Sequence, residues 1–148
     1  MAWDKNKLIP QSEITDKVTE ETVKFAQEFG SYLGMDGKKT IEDRNGRSKE
    51  IKEAKLTTNQ LRKFFGEVKR QQMSGYNETD FVLLKPKLAY AVGRAKDENA
   101  KINDFYHVIA KAIDEVKNEQ HFKNFIKIFE AIVAYHKAAE ESKMYDNN

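Results

Sequence analysis

Apolar residues recur along this chain at three- and four-residue intervals, the period of a helix with one buried face. Val18, Phe25, Phe29 and Tyr32/Leu33 mark a first helix, with Thr15, Asp16 or Thr19 as its N-cap, Pro10 before it and Gly30 and Gly34 at its end. Leu61, Phe64, Phe65, Val68 and Gln72 share the face of a second helix that begins at Thr57 or Thr58 and stops at Ser74-Gly75. Asn77 or Thr79 caps a short apolar run from Phe81 to Leu84, and Pro86 fits the first turn of the next helix, where its missing N–H costs little. Leu84, Leu88, Val92 and Ala95 form the buried edge there, and a break follows at Lys96-Asp97-Glu98-Asn99. Two further stripes run Ile102, Phe105, Tyr106, Ile109, Ile113, Val116 and Phe122, Phe125, Ile126, Phe129, Ile132, Val133, His136. Ile128 and Tyr135 widen the last stripe, either as a broader buried face or as a partner-facing patch. No strand-period segment or internal repeat stands out.

The pattern predicts an all-α fold, a compact bundle of five or six helices in a single domain over residues 1–148. Residues 1–11 read as polar and frayed, and the tail after Ser142 as mobile. Residues 34–54, with Gly34, Gly37 and Gly46 among charged residues, read as a long flexible loop whose last part, Ser48 to Ala54, can add a helical turn. At 148 residues the chain is long enough for a real core, and nine Phe, six Tyr and one Trp supply its large side chains.

Composition excludes several kinds of chemistry. There is no cysteine, hence neither disulfide nor thiolate. No run approaches the roughly 18 apolar residues of a membrane span, and the first thirty residues carry no apolar signal segment. These features point to a cytoplasmic protein with no membrane partner. His107, His121 and His136 lack ligand spacing, the carboxylates are interleaved with lysines, and no nucleophile signature or phosphate-cradling glycine loop is present. The expectation is a chain without catalysis, metal or cofactor, in which His136 is a satisfied core histidine and Asp104/His107 a surface pair.

Charge changes the picture more than composition does. The net charge is only +2, yet residues 55–96 hold nine Lys/Arg against three Asp/Glu. In the second helix Arg62 and Lys69 lie on one flank and Lys63 and Arg70 on the other, with Gly66 between them and Glu67 as the helix's only acid. A mid-helix glycine costs about 1 kcal/mol against alanine and lets a backbone or phosphate approach closely. In the next helix Lys87, Tyr90 and Arg94 share an edge away from the core stripe. The bland alternative is an ordinary solvated face, but such faces mix signs, and this one does not. The candidate phosphate-binding residues are Arg62, Lys63, Lys69, Arg70, Lys87 and Arg94, with Tyr90 among them and Lys55 and Lys85 at the margins. No base-reading motif is present, so contact would be to backbone and shape.

Leu56-Thr57-Thr58-Asn59-Gln60-Leu61-Arg62-Lys63-Phe64-Phe65 and Leu84-Lys85-Pro86-Lys87-Leu88-Ala89-Tyr90-Ala91-Val92-Gly93-Arg94, with a weaker Phe129-to-Lys137 segment, resemble the small helical subunit of the type III-A CRISPR effector, the Csm complex. Asn59 stands where that family often has serine, and residues 34–54 and the chain ends add nothing to the likeness. The resemblance implies a non-catalytic subunit in antiviral defense. Several copies of itself would stack beside the large subunit and the RNA-recognition-fold backbone subunits, lining the channel that holds guide RNA and target RNA. Two other readings stay open: a helical protein–protein adaptor whose basic ridge meets an acidic partner, and, more weakly, a helix-turn-helix DNA-binding regulator.

Overall fold

The computed structural model describes residues 3–146. Five long helices carry the fold: α2 (Glu20–Leu33), α3 (Thr58–Ser74), α5 (Leu84–Ala95), α6 (Ile102–Glu115) and α7 (Glu119–Asp146). Two five-residue helices, α1 (Gln11–Thr15) and α4 (Glu78–Val82), and two strands, β1 (Gly37–Glu42) and β2 (Ser48–Glu53), complete it. The chain is therefore mostly helical but not strictly all-α.

The helices stand where the apolar stripes place them. Thr19 caps α2 by accepting from the Glu21 N–H, and Thr57 and Gln60 form a reciprocal capping box at the start of α3. α7 is the axis of the core. Phe129 packs against Phe64, Phe65, Phe105 and Phe125, and Phe122 and Phe125 pack against Phe81. Ile128 is 1% exposed and Tyr135 packs on the core, so the wide stripe of α7 is a broad buried face and not a partner-facing patch.

The most extensive helix pair is α2 on α7, and two glycines set its spacing. A Cβ on Gly30 would meet the Ile132 carbonyl oxygen at 2.7 Å and the Tyr135 Cβ at 2.8 Å; one on Gly34 would meet the His136 carbonyl oxygen at 2.6 Å. These glycines do more than end the helix. They let two helix backbones approach closely, and any side chain there would force the helices apart.

Three expectations need correction. Residues 37–53 are an antiparallel hairpin, not a flexible loop or an extra helical turn, with register Gly37↔Glu53 through Glu42↔Ser48. Asp43 builds its turn by accepting from the Asn45 and Arg47 N–H groups (2.8 and 2.9 Å), and Gly46 supplies a φ of +76°. The more covered face carries Gly37, Lys39, Ile51 and the buried Glu53, of which only Ile51 is apolar, so the sequence lacks the apolar alternation that signals a strand. The second correction is the N-terminal segment, which is docked from Trp3 onward. Trp3 packs on Phe25, Phe29 and Tyr32 at ring-centroid distances of 6.1, 4.7 and 5.2 Å, and Ile9 and Ile14 enter the core. The third is the edge of α5, where Leu84 and Leu88 are buried but Val92 and Ala95 only half-buried. The mobile tail expected after Ser142 falls on the final turns of α7 and on residues 147–148, and those last two lie outside the described residues.

Buried polar groups join the elements. Glu13, 3% exposed, accepts from the N–H and hydroxyl groups of both Thr19 and Thr22 at 2.7–2.9 Å, which ties α1 to the start of α2. Asn124 of α7 donates to the carbonyls of Ile14 and Asp16. Tyr32 donates to Asp104 at 2.6 Å, and burial followed by that carboxylate pushes its phenol pKa up. His136 Nε2–H donates to the Leu56 carbonyl at 2.6 Å, whereas its buried Nδ1 has no hydrogen-bond partner among the described residues, so this core histidine is half satisfied.

Two outcomes are expected. Gly30→Ala should lower stability by about 1–3 kcal/mol or more, read as an earlier urea midpoint, because the clash is with backbone. Burial acts to raise the Glu13 pKa, but the hydrogen bonds from Thr19 and Thr22 outweigh it and hold the carboxyl below its usual value. A lowered folded-state pKa stabilises above the unfolded value, and that contribution fades as pH falls through the folded one. Glu13→Gln should therefore destabilise at neutral pH, by about 1–3 kcal/mol. The gap from the wild type should narrow in urea titrations taken progressively below the usual carboxylate range; a gap independent of pH would refute the assignment.

Candidate nucleic-acid interface

The basic residues are positioned by α3 and α5. Leu61, Phe64 and Val68 bury one face of α3, and Leu84 and Leu88 one face of α5. The remaining faces flank a cleft of about 450 Å³ lined by Asn59, Gln60, Lys63, Phe64, Glu67, Lys87, Tyr90, Ala91, Arg94 and Ala95. The structure thus gathers Lys63 from α3 with Lys87, Tyr90 and Arg94 from α5. The Arg94 guanidinium lies 6.0 Å from the Tyr90 ring centroid, within cation–π reach. Gly66 is exposed on the outer face of α3, and a Cβ there would meet nothing within 4 Å, so packing gives no reason for a glycine.

The other candidates are placed differently. Arg62 lies on the opposite flank of α3, beside Phe65 and the α7 residues Val133 and Lys137. Lys69, on the same flank, reaches Glu130 of α7 at 3.4 Å and lies 5.3 Å from the Phe65 ring centroid. Lys55 pairs with Glu140 at 3.3 Å, and Lys85 with Asp114 of α6 at 2.7 Å, a bond that raises the Lys85 pKa. These are intramolecular ion pairs that fasten elements together, so Lys55 and Lys85 are not brought to the cleft.

Glu67 is the residue that pattern reading undervalues. Its Oε1 accepts from Arg70 at 2.6 Å and from Lys87 at 2.7 Å, bridging α3 to α5 across the cleft. The Arg70 bond first, then the Lys87 bond, holds its pKa down at about 2. It stays ionised throughout the physiological range and neutralises part of the ridge. The Glu67–Arg70 spacing is visible in the sequence as an i, i+3 pair; the Lys87 contact arises only from folding. Among the described residues, Arg62, Lys63 and Arg94 make no ion pair with a carboxylate.

The described residues contain no cluster of three or more His, Asp or Glu able to hold a metal ion, and none of their helices is long and apolar enough to cross a membrane. The histidines serve structure: His107 Nε2 meets the Lys5 carbonyl, and His121 Nδ1 accepts from the Lys117 N–H. Asp104 accepts from Tyr32, so the expected Asp104/His107 pair is divided between two other partners.

A helical scaffold with a cationic cleft fits several kinds of protein, and comparison with known families decides among them. The family model for Csm2 Type III-A matches residues 34–142. This chain belongs to the Csm2 type III-A family. It is thereby a small, structural subunit of the type III-A CRISPR effector, the Csm complex. No curated protein and no solved structure matches it. The Csm2 match includes the hairpin, which the resemblance of residues 55–137 left out, and it covers α3, α5 and the cleft between them.

Replacing Glu67 should strengthen binding of a polyanion. In Glu67→Gln the carboxylate charge that holds Arg70 and Lys87 is gone, and two cations are released towards the cleft. An affinity gain of about threefold or more for RNA or heparin at low salt is expected, with a steeper salt dependence. Unchanged affinity and slope in a folded variant would mean that this ridge does not meet the polyanion.

Proposed function

We propose that this Csm2 chain is a non-catalytic, cytoplasmic subunit that binds the RNA backbone of the guide–target duplex without sequence preference and stacks in several copies along the effector. The single observation that carries the reading is the convergence of Lys63, Lys87 and Arg94 on one cleft, with no described carboxylate paired to Lys63 or Arg94. Arg62 extends the basic surface over the other flank of α3, and the exposed Gly66 leaves the helix backbone open between the two flanks.

In this reading Lys63, Arg94 and Arg62 contact phosphates directly. Lys87 and Arg70 do so by exchanging Glu67 for a phosphate, and Lys69 by leaving Glu130. Lys55 and Lys85 serve the fold. Base pairing reads sequence in guide-directed systems, while protein holds backbone and geometry. A surface of point charges and guanidinium groups on rigid helices suits that division. One copy offers few contacts, and repeated copies along one duplex multiply them.

The Glu67 bridge shows that this ridge accepts carboxylates, which favours a second reading in which an acidic segment of a neighbouring subunit binds there. The two readings separate on one measurement. Lys63→Ala with Arg94→Ala should weaken binding to RNA of any sequence and reduce the magnitude of the slope of log K against log salt by about 1–2, two phosphate contacts fewer. A folded double variant with wild-type RNA affinity and slope, but weakened assembly with the other subunits, would favour the acidic-segment reading instead.

A further inference from the structure

The α3–α5 cleft is more than a row of cations, and its shape specifies more than a phosphate. The apolar stripe of α5 runs Leu84, Leu88, Ala91, Ala95. Leu84 and Leu88 close against the core, whereas the two alanines are only half-buried and line the cleft. Phe64, 6% exposed, forms the rest of the floor. Tyr90 stands at the mouth, 68% exposed, with Arg94 to one side of its ring.

These features belong to different parts of one ligand. A bare phosphate gains nothing from an apolar floor or an aromatic ring. An apolar ligand gains nothing from Lys63 and Arg94. A nucleotide whose base has left its helix carries both a flat aromatic face and a phosphate, and the cleft volume lies in the range of small-ligand sites. The exposed Asn59 amide, with one donor and one acceptor group, also lines the cleft. We propose that this cleft receives one unpaired nucleotide of the bound RNA, its base stacked on Tyr90 over the Phe64–Ala91–Ala95 floor and its phosphate held by Lys63 and Arg94. The inference rests on the RNA-binding function proposed above and adds to it a preference for RNA with an unstacked base.

The test uses the purified full chain at low ionic strength and three fluorescein-labelled RNA duplexes: one uninterrupted, one with a single unpaired adenosine, and one with an abasic residue at that bulge. Aromatic stacking of a base contributes enough for roughly a tenfold preference. The wild type should bind the adenosine bulge about tenfold more tightly than the other two duplexes. Tyr90→Ala should erase that preference, bringing the three duplexes to equal affinity, and Tyr90→Phe should retain it. Lys63→Ala with Arg94→Ala should weaken binding to all three. Equal wild-type affinity for the three duplexes, still reduced by the Lys63/Arg94 substitutions, would overturn the base-binding cleft and leave backbone binding standing. Failure of the wild type to bind any of them would overturn both.

Discussion

The close approach of α2 to α7 at Gly30 and Gly34 is the constraint on which the rest depends. At those two positions only a hydrogen atom separates one helix from the carbonyls of the other. The approach fixes where the last third of α7 lies, and from there two side chains reach forward. His136 donates to the Leu56 carbonyl, and Glu140 accepts from Thr58 and pairs with Lys55. Leu56, Thr57 and Thr58 are the entry to α3, and the Leu56 N–H also bonds back to the Leu33 carbonyl at the end of α2. The orientation of α3, and with it the position of Lys63 and Arg62, is thus set by a helix pair that contains none of the candidate binding residues. Core packing and the candidate site are joined through hydrogen bonds to backbone, which tolerate less play than side-chain contacts.

The electrostatics are graded rather than uniformly positive. Lys55 and Lys85 are committed to Glu140 and Asp114, and Lys69 shares Glu130. Arg70 and Lys87 are held by one carboxylate, and among the described residues Lys63, Arg62 and Arg94 have none. An exposed ion pair contributes little to stability, so Glu67 adds less to the fold than to the availability of two cations. A phosphate that displaces Glu67 gains two partners and leaves a carboxylate to be resolvated, which lowers the net gain per contact. The nine-to-three excess of bases over acids in residues 55–96 therefore overstates what a ligand would meet.

How much of this was legible in the sequence follows from where the information sits. The stripes of α2, α3, α6 and α7 were readable because each buries a full face in one core, and a period of 3.6 survives when every turn contributes. The hairpin was not readable as strands, because its more covered face is built from Gly37, Lys39, Ile51 and Glu53 and leaves no apolar period of two; Asn45-Gly46 with Asp43 was the signal for its turn. Trp3 looked like part of a polar tail because its three aromatic partners come from one helix more than twenty residues away. At the candidate site, the two flanks of α3 and the Lys87–Tyr90–Arg94 edge followed from helical geometry alone. The meeting of one flank with that edge, and the Glu67 bridge between them, required the tertiary fold.

The same distinction explains why a glycine pair and a lone glycine in one chain mean different things. Gly30 and Gly34 are four residues apart, so they fall on one side of α2, and each would clash with α7 if it carried a side chain. Gly66 would clash with nothing, and it sits in the middle of a helix where alanine would be more favourable by about 1 kcal/mol. The first pair is accounted for within the molecule. Gly66 is not, and neither are the shallow alanine floor of α5 and the exposed ring of Tyr90 beside it. These three features lie on the two helices that also hold Arg62, Lys63 and Arg94. Unfavourable backbone, open volume and cations that no described carboxylate holds thus lie together on neighbouring elements, which is the combination that the proposed RNA contact calls for.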